Sequence, residues 1–237
     1  MYSLFGRKVI LFVLLTSWCS WSIGQSQDKY AGNNFRQFAG KNYYFGLALS
    51  YNQSTYKLYR SNYFIKQDSL LVTESIKNPG FSVGIITNVK FGDHFDFRFV
   101  PTFSFANRNI RYNDRVSEVD RRIESTFLEL PLHVRFTSLP YKDMKVFIVG
   151  GLKYSYDISN KSRTKKFSSL IKLSPNDFAA EIGAGMQFFF PYFIFSPEIK
   201  FSQGIGNILI YNGTNSESSV LEKILSRAFT ITLNFEG

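Results

Sequence analysis

A two-residue alternation between large apolar side chains and small or polar ones recurs in eight segments of this sequence. The first segment, residues 43–51, has large apolar side chains at its odd positions and Gly46, Ala48 and Ser50 among its even ones. The other seven cover residues 81–91, 95–105, 126–136, 146–156, 177–190, 193–201 and 229–236. Successive side chains of a β-strand point to opposite faces, so this period predicts eight strands, each with one apolar face.

The charged residues of these segments all lie on the face opposite the large apolar side chains. They are Lys90, Asp96, Arg98, Glu129, Arg135, Lys153, Asp177, Glu181, Glu198, Lys200 and Glu236. Glycines share that face, for example Gly46, Gly84 and Gly183. A soluble β-sandwich also separates charge from apolar residues, but its solvent-facing side does not need small side chains. Small inward and bulky outward residues predict an all-β fold, an eight-stranded antiparallel transmembrane β-barrel of the outer membrane type.

The first 24 residues have the order of a secretory signal peptide. Arg7 and Lys8 come first, an apolar run follows over residues 9–15, and small residues precede Gln25. The apolar run is too short for a membrane-spanning helix, which needs about 20 residues. We therefore expect a signal peptide at residues 1–24, a polar periplasmic leader at 25–41 and the barrel at 42–237. An exported barrel of this type belongs in the outer membrane, with its short turns and both termini in the periplasm.

Cysteine and histidine are scarce in this chain, with one Cys and two His among 237 residues. Disulfide frameworks, structural zinc sites and iron–sulfur clusters are therefore excluded, and we expect no cofactor. The formal net charge of +10 would suggest nucleic acid as a partner, but an exported barrel does not meet it. The expected contacts are outer-membrane lipids. The strongest basic run, Lys161, Arg163, Lys165 and Lys166, falls in an outward loop, where it would face lipid phosphates or an acidic protein.

Nine ionisable residues are predicted to share the lumen of the barrel as a charge cluster. They are Asp96, Arg98, Glu129, His133, Arg135, Lys153, Glu181, Glu198 and Lys200. An eight-stranded barrel has room for side chains and no continuous water channel, and a buried charge must be paired. We expect these groups to neutralise one another and fix the strand register, in preference to forming a proton or ion path. His133 could act as a general base, but no matching Ser and acid accompany it, so no enzymatic activity is predicted.

Two local features carry further predictions. Pro101, Pro131 and Pro197 each remove a hydrogen-bond donor from a strand, so β-bulges are expected at these positions. Residues 219–225, in the last long loop, begin as a capping box followed by about two apolar turns, which predicts a short helix. That helix would either cover the barrel mouth as a lid or bind a partner.

Several motifs occur in an order that resembles one family of barrels. They are GFSVGIITNV at 80–89, DFRFVP at 96–101, IESTFLELP at 123–131, GGLKYS at 150–155, NDFAAEIG at 176–183 and FSPEIK at 195–200. Over residues 42–236 the chain resembles the PorT-type outer-membrane β-barrel proteins of Bacteroidetes. The resemblance implies an accessory role in type IX protein secretion, with translocon proteins as partners and, in many members, a link to gliding motility. It implies no catalytic residues.

Four functions stay open on the sequence. The leading one is a non-enzymatic outer membrane component of type IX secretion that acts in translocon assembly or cargo export. The others are a stand-alone structural barrel that contacts envelope lipids, a membrane-embedded lipid hydrolase or acyltransferase that uses His133, and a small pore.

Overall fold

The computed structural model describes residues 31–60, 70–76, 78–114, 118–159, 173–210 and 221–237. These residues form one helix and ten β-strands. The helix is α1 (Asn33–Ala39), and the strands are β1 (Tyr43–Arg60), β2 (Leu70–Ile76), β3 (Asn78–Phe91), β4 (Phe95–Phe99), β5 (Thr102–Asp114), β6 (Glu118–Thr137), β7 (Met144–Asp157), β8 (Asn176–Phe189), β9 (Ile194–Gly204) and β10 (Leu221–Glu236). In this part of the chain, no helix is long and apolar enough to cross a membrane.

The strands form a closed antiparallel ring. Strand β1 pairs with β10 on one side and with β3 on the other, which joins the first and last strands of the chain. Strands β2 and β3 lie end to end and occupy one strand position of the ring, and β4 and β5 occupy the next in the same way. The ten strands therefore make a ring of eight strand positions. The predicted fold, an eight-stranded antiparallel barrel, is therefore confirmed.

The two faces of the ring differ as the alternation predicts. Large apolar side chains point outward, and in isolation Leu152 is 61% exposed and Ile182 67% exposed. Charged and small side chains point inward, where Arg98 and Arg135 are buried. An outward apolar band is stable only against hydrocarbon, because water would leave all of that surface unburied.

Several strands extend beyond their predicted ends on the side of the long connections. Strand β1 continues to Arg60, and β10 begins at Leu221. The helix predicted at residues 219–225 is therefore wrong for residues 221–225, which are part of β10. The cause is tertiary packing: Ile224 points inward and is buried against Tyr56 and Ile208. This inward apolar cluster fills the lumen at the long-loop end.

The β-bulges expected at the three prolines are absent, and that prediction is wrong. The pairing of β3 continues in one register from β4 to β5 across Pro101, and the pairings of β6 and β9 run unshifted through Pro131 and Pro197. A proline removes its own N–H but keeps its carbonyl, and Ile85 N donates to Pro101 O at 3.0 Å. One lost donor leaves the register unchanged when neighbouring pairs hold it.

The end of the barrel with the short turns is closed by the segment before β1. Helix α1 lies across this end, which we call the short-turn mouth, and its Phe38 is buried against Tyr44, Phe189 and Ile194. Phe35 N donates to Asp143 Oδ1 at 2.9 Å. Lys90 Nζ donates to the carbonyls of Phe38 and Ala39, at 3.1 and 3.2 Å, and so caps the end of α1. The described part of the leader, residues 31–41, is therefore docked on the barrel.

Candidate functional site

The inward faces of β4, β6, β7, β8, β9 and β10 bring charged side chains together in the lumen. Inward positions in a strand recur every second residue, so each strand delivers its polar side chains to the same interior. All nine residues of the predicted charge cluster lie there in the ion pairs described below; seven are buried, and Glu129 and Lys200 are partly exposed. The structure adds Glu236, near the end of β10, whose side chain is fully buried. Its position on the inward face of the last strand is the sequence signal for it.

A first group of ion pairs surrounds two arginines. Arg98 Nη1 lies 3.2 Å from Glu198 Oε2, and Arg98 Nη2 also bonds to Glu236 Oε1. Arg135 donates from Nε and Nη2 to Asp96 Oδ2, at 2.8 and 2.6 Å. Its Nη1 lies 3.5 Å from Glu236 Oε1, so Glu236 joins the two arginines. The guanidinium of Arg135 also stacks 5.0 Å from the ring centre of Phe147.

A second group is centred on Glu181 and Lys153. Lys153 Nζ lies 3.0 Å from Glu181 Oε1 and 3.3 Å from Glu129 Oε2. The other oxygen of Glu181 bonds to His133 Nε2 at 2.7 Å. Lys200 pairs with Glu198 at 3.3 Å and belongs to the first group. Within the two groups, every arginine and lysine has a carboxylate partner.

The charges in these two groups nearly balance. The carboxylates are Asp96, Glu129, Glu181, Glu198 and Glu236, and the bases are Arg98, Arg135, Lys153 and Lys200, with His133 as a tenth ionisable group. Removing a charge from water costs several kcal/mol, and a partner with good geometry offsets that cost. The arrangement is a packed electrostatic interior that ties six strands to one another.

Little free space lies among the ion pairs in the middle of the lumen. Ala48 of β1, Ile86 of β3 and Val100, between β4 and β5, form an apolar cluster inside the wall. A cavity of about 30 Å³ lies beside Glu129, Lys153 and Lys200, which is room for about one water molecule. Phe38 lies at one end and the cluster of Ile224 at the other, so side chains fill the described lumen except for a cavity at the short-turn mouth.

His133 lies inside this packed interior. It is 1% exposed, and apart from its bond to Glu181 it has no hydrogen-bond partner among the described residues: its Nδ1 is buried and unpaired. A general base for lipid hydrolysis needs a nucleophile within hydrogen-bond reach and access to substrate. The described residues supply neither at His133.

The outward basic run lies outside the described residues. Lys161, Arg163, Lys165 and Lys166 fall within 160–172, and the signal peptide at 1–24 also falls outside them. Both stay predictions from the sequence.

Planar-bilayer recordings of the pure protein are expected to show no stable, porin-sized conductance, because ion-paired side chains fill the lumen. A porin reconstituted from the same detergent serves as the control for insertion. Reproducible large steps from this protein, after removal of contaminating porins, would contradict the described interior.

A closed ring of eight strand positions, apolar outside and charged within, defines a transmembrane β-barrel of the outer-membrane class. Comparison with known proteins agrees: residues 25–209 match the family described as outer membrane protein beta-barrel domain. The chain belongs to this family and is an outer-membrane β-barrel protein, in contact with membrane lipids. No curated protein sequence matches the chain.

Similar solved structures are also outer-membrane proteins. OprG from Pseudomonas aeruginosa is 11% identical, with 82% of this chain and 93% of OprG covered and a TM-score of 0.48. Neisserial surface protein A is 9% identical, with 82% of this chain and 96% of that protein covered and a TM-score of 0.43.

Proposed function

We propose that this protein is a non-enzymatic accessory component of type IX protein secretion that works through its two rims. The observation that carries the proposal is the ion-paired lumen, which gives neither a transport path nor an open catalytic pocket in the described residues. The protein therefore acts through contacts between its two rims and partner proteins. The motif order that resembles PorT-type barrels supports secretion as the process.

The proposal also covers removal of the signal peptide and the orientation of the barrel in the outer membrane. Residues 1–24 direct export and are removed, and the short-turn mouth with its docked helix α1 faces the periplasm, as short turns do in outer-membrane barrels. The long-loop end, including the basic run at 161–166, faces outward. Translocon proteins or their assembly intermediates contact one of these rims.

Deleting the gene is expected to leave type IX cargo proteins synthesised but retained in the periplasm. Quantitative mass spectrometry of periplasm and medium measures the redistribution, and gliding is expected to fail in a host that glides. Outer-membrane permeability to small solutes is expected to change little, because the described lumen is filled. Plasmid-borne wild-type protein should restore secretion.

Two complementing variants separate the rims. Removing residues 31–41 tests the periplasmic face, and replacing Lys161, Arg163, Lys165 and Lys166 by Ser tests the outward face. Barrel levels in the outer membrane are measured for each variant, so that loss of protein is not read as loss of function. Normal cargo secretion in the deletion strain would contradict the secretion role and favour a stand-alone structural barrel.

A further inference from the structure

The short-turn mouth contains a cavity that the ion-paired lumen does not occupy. Its volume is about 390 Å³, and it lies between helix α1 and the inner wall of the barrel. Phe35, Tyr44 and Phe189 form its aromatic walls, and three basic residues, Arg36, Lys90 and Lys145, also line it. Cavities of 300–1,000 Å³ are typical of sites for small ligands. We call it the mouth cavity.

The two lysines of the mouth cavity differ from every base in the lumen. Lys90 Nζ contacts the carbonyls of α1 and lies 4.8 Å from the ring centre of Tyr44, and Lys145 Nζ lies 4.8 Å from that of Phe35. Neither forms an ion pair with a carboxylate among the described residues, whereas Arg98, Arg135, Lys153 and Lys200 all do. Two half-buried lysine side chains thus line one cavity, and neither is ion-paired to a carboxylate in the described part of the chain.

Two acidic residues beside the cavity attract these lysines, but neither forms an ion pair with them. Asp96 borders the cavity, but its carboxylate is held by two donors of Arg135. Asp93 lies in the exposed turn between β3 and β4 and makes no ion pair with either lysine. The amide side chains of Asn42 and Gln187 line the same cavity and can donate further hydrogen bonds.

We propose that the mouth cavity binds a phosphate group between Lys90 and Lys145. A phosphate monoester carries close to two negative charges at neutral pH, which matches two ammonium groups better than a single carboxylate does. Compact ammonium groups bind phosphate as point charges, and amide N–H groups complete such a site. The cavity is larger than a bare phosphate, so the ligand is a phosphate ester. This site does not depend on the proposed secretion role.

The phosphate ester can come from two sources, a soluble metabolite or the headgroup of a phospholipid in the adjacent leaflet. Glycerol 3-phosphate is the soluble probe, titrated by calorimetry into the full mature barrel in a phosphate-free detergent. Phosphatidic acid, whose phosphate is also a monoester, is added to the same micelles as the lipid probe, with binding measured by native mass spectrometry. Succinate, with two carboxylates, tests selectivity for phosphate.

Lys145→Gln is expected to weaken binding of the phosphate probe about tenfold or more, because a charged donor is lost from the site. Lys142→Gln is the matched control: Lys142 is exposed in the β6–β7 turn at the same end of the barrel and does not line the cavity. Lys90→Gln is the second test, and because Lys90 also caps α1, Lys145→Gln is the cleaner variant.

Each outcome decides the proposal. Glycerol 3-phosphate binding that Lys145→Gln weakens and Lys142→Gln leaves intact supports a site for soluble esters. Binding of phosphatidic acid alone, with the same dependence on Lys145, supports a headgroup site. Failure of both phosphate probes to bind, equal binding to Lys145→Gln and wild type, or preference for succinate would overturn the proposal.

Discussion

Replacing Arg135 by Met is expected to lower the free energy of unfolding by about 3–5 kcal/mol, because it leaves buried carboxylates without their partner. Arg135 is fully buried and pairs with both Asp96 and Glu236. Methionine has a similar length, so cavity formation contributes little and the effect reports the lost charge. The change is measured by urea unfolding of the barrel reconstituted in lipid vesicles, with the folded fraction read from gel mobility.

Two further variants test whether the effect of Arg135→Met comes from the loss of its ion pairs. Arg227→Met removes an arginine that bonds to Gln203 near the long-loop rim, and it is expected to cost only about 1 kcal/mol. Adding Asp96→Asn to Arg135→Met removes one orphaned carboxylate and is expected to recover part of the loss. If Arg135→Met and Arg227→Met destabilised the barrel equally, the ion pairs around Arg135 would not be an important source of its stability.

Replacing Leu152 by Lys is expected to destabilise the inserted barrel by about 2–4 kcal/mol, the cost of a cation on the lipid face near the bilayer midplane. Leu152 lies outward near the middle of β7. Vesicle insertion and urea unfolding measure the change. Leu152→Met controls for the altered shape, and Tyr192→Lys places the same charge in an exposed short turn, where little effect is expected. A large effect of Tyr192→Lys, or none of Leu152→Lys, would show that the lipid face is wrongly assigned.

The sequence predicts which way each side chain points but not which partner it finds. The alternation along each strand places Asp96 and Arg135 in the lumen, because a side chain one residue away from an outward apolar side chain must point inward. Their contact can be guessed once β4 and β6 are neighbours, since the two residues are direct cross-strand partners. The bond between Arg98 and Glu236 crosses the lumen between strands that are not neighbours, and only the closed ring brings the two residues together.

Alternation also failed where the inward side becomes apolar. Tyr56 and Ile224 face the interior at the long-loop end, so the contrast between the two faces weakens there and alternation predicts shorter strands than the structure has. Helix α1 was missed for a different reason: seven residues without a side-chain cap have little intrinsic helical stability. Its stability comes from burial of Phe38 and from Lys90, which no local pattern shows.

The pairing of the first strand with the last has a consequence for the order of folding. Gly46 of β1 pairs with Glu236 of β10, so the ring cannot close until β10 has been added. Contacts this distant in sequence carry a large loop-closure entropy and form late. Until then Arg98 and Arg135 lack the carboxylate that they share. Closing the wall and bringing Glu236 to the two arginines are therefore one late event. Before it, the strands form an open sheet in which Arg135 already has its cross-strand partner Asp96 but the interior lacks the carboxylate that links Arg135 to Arg98.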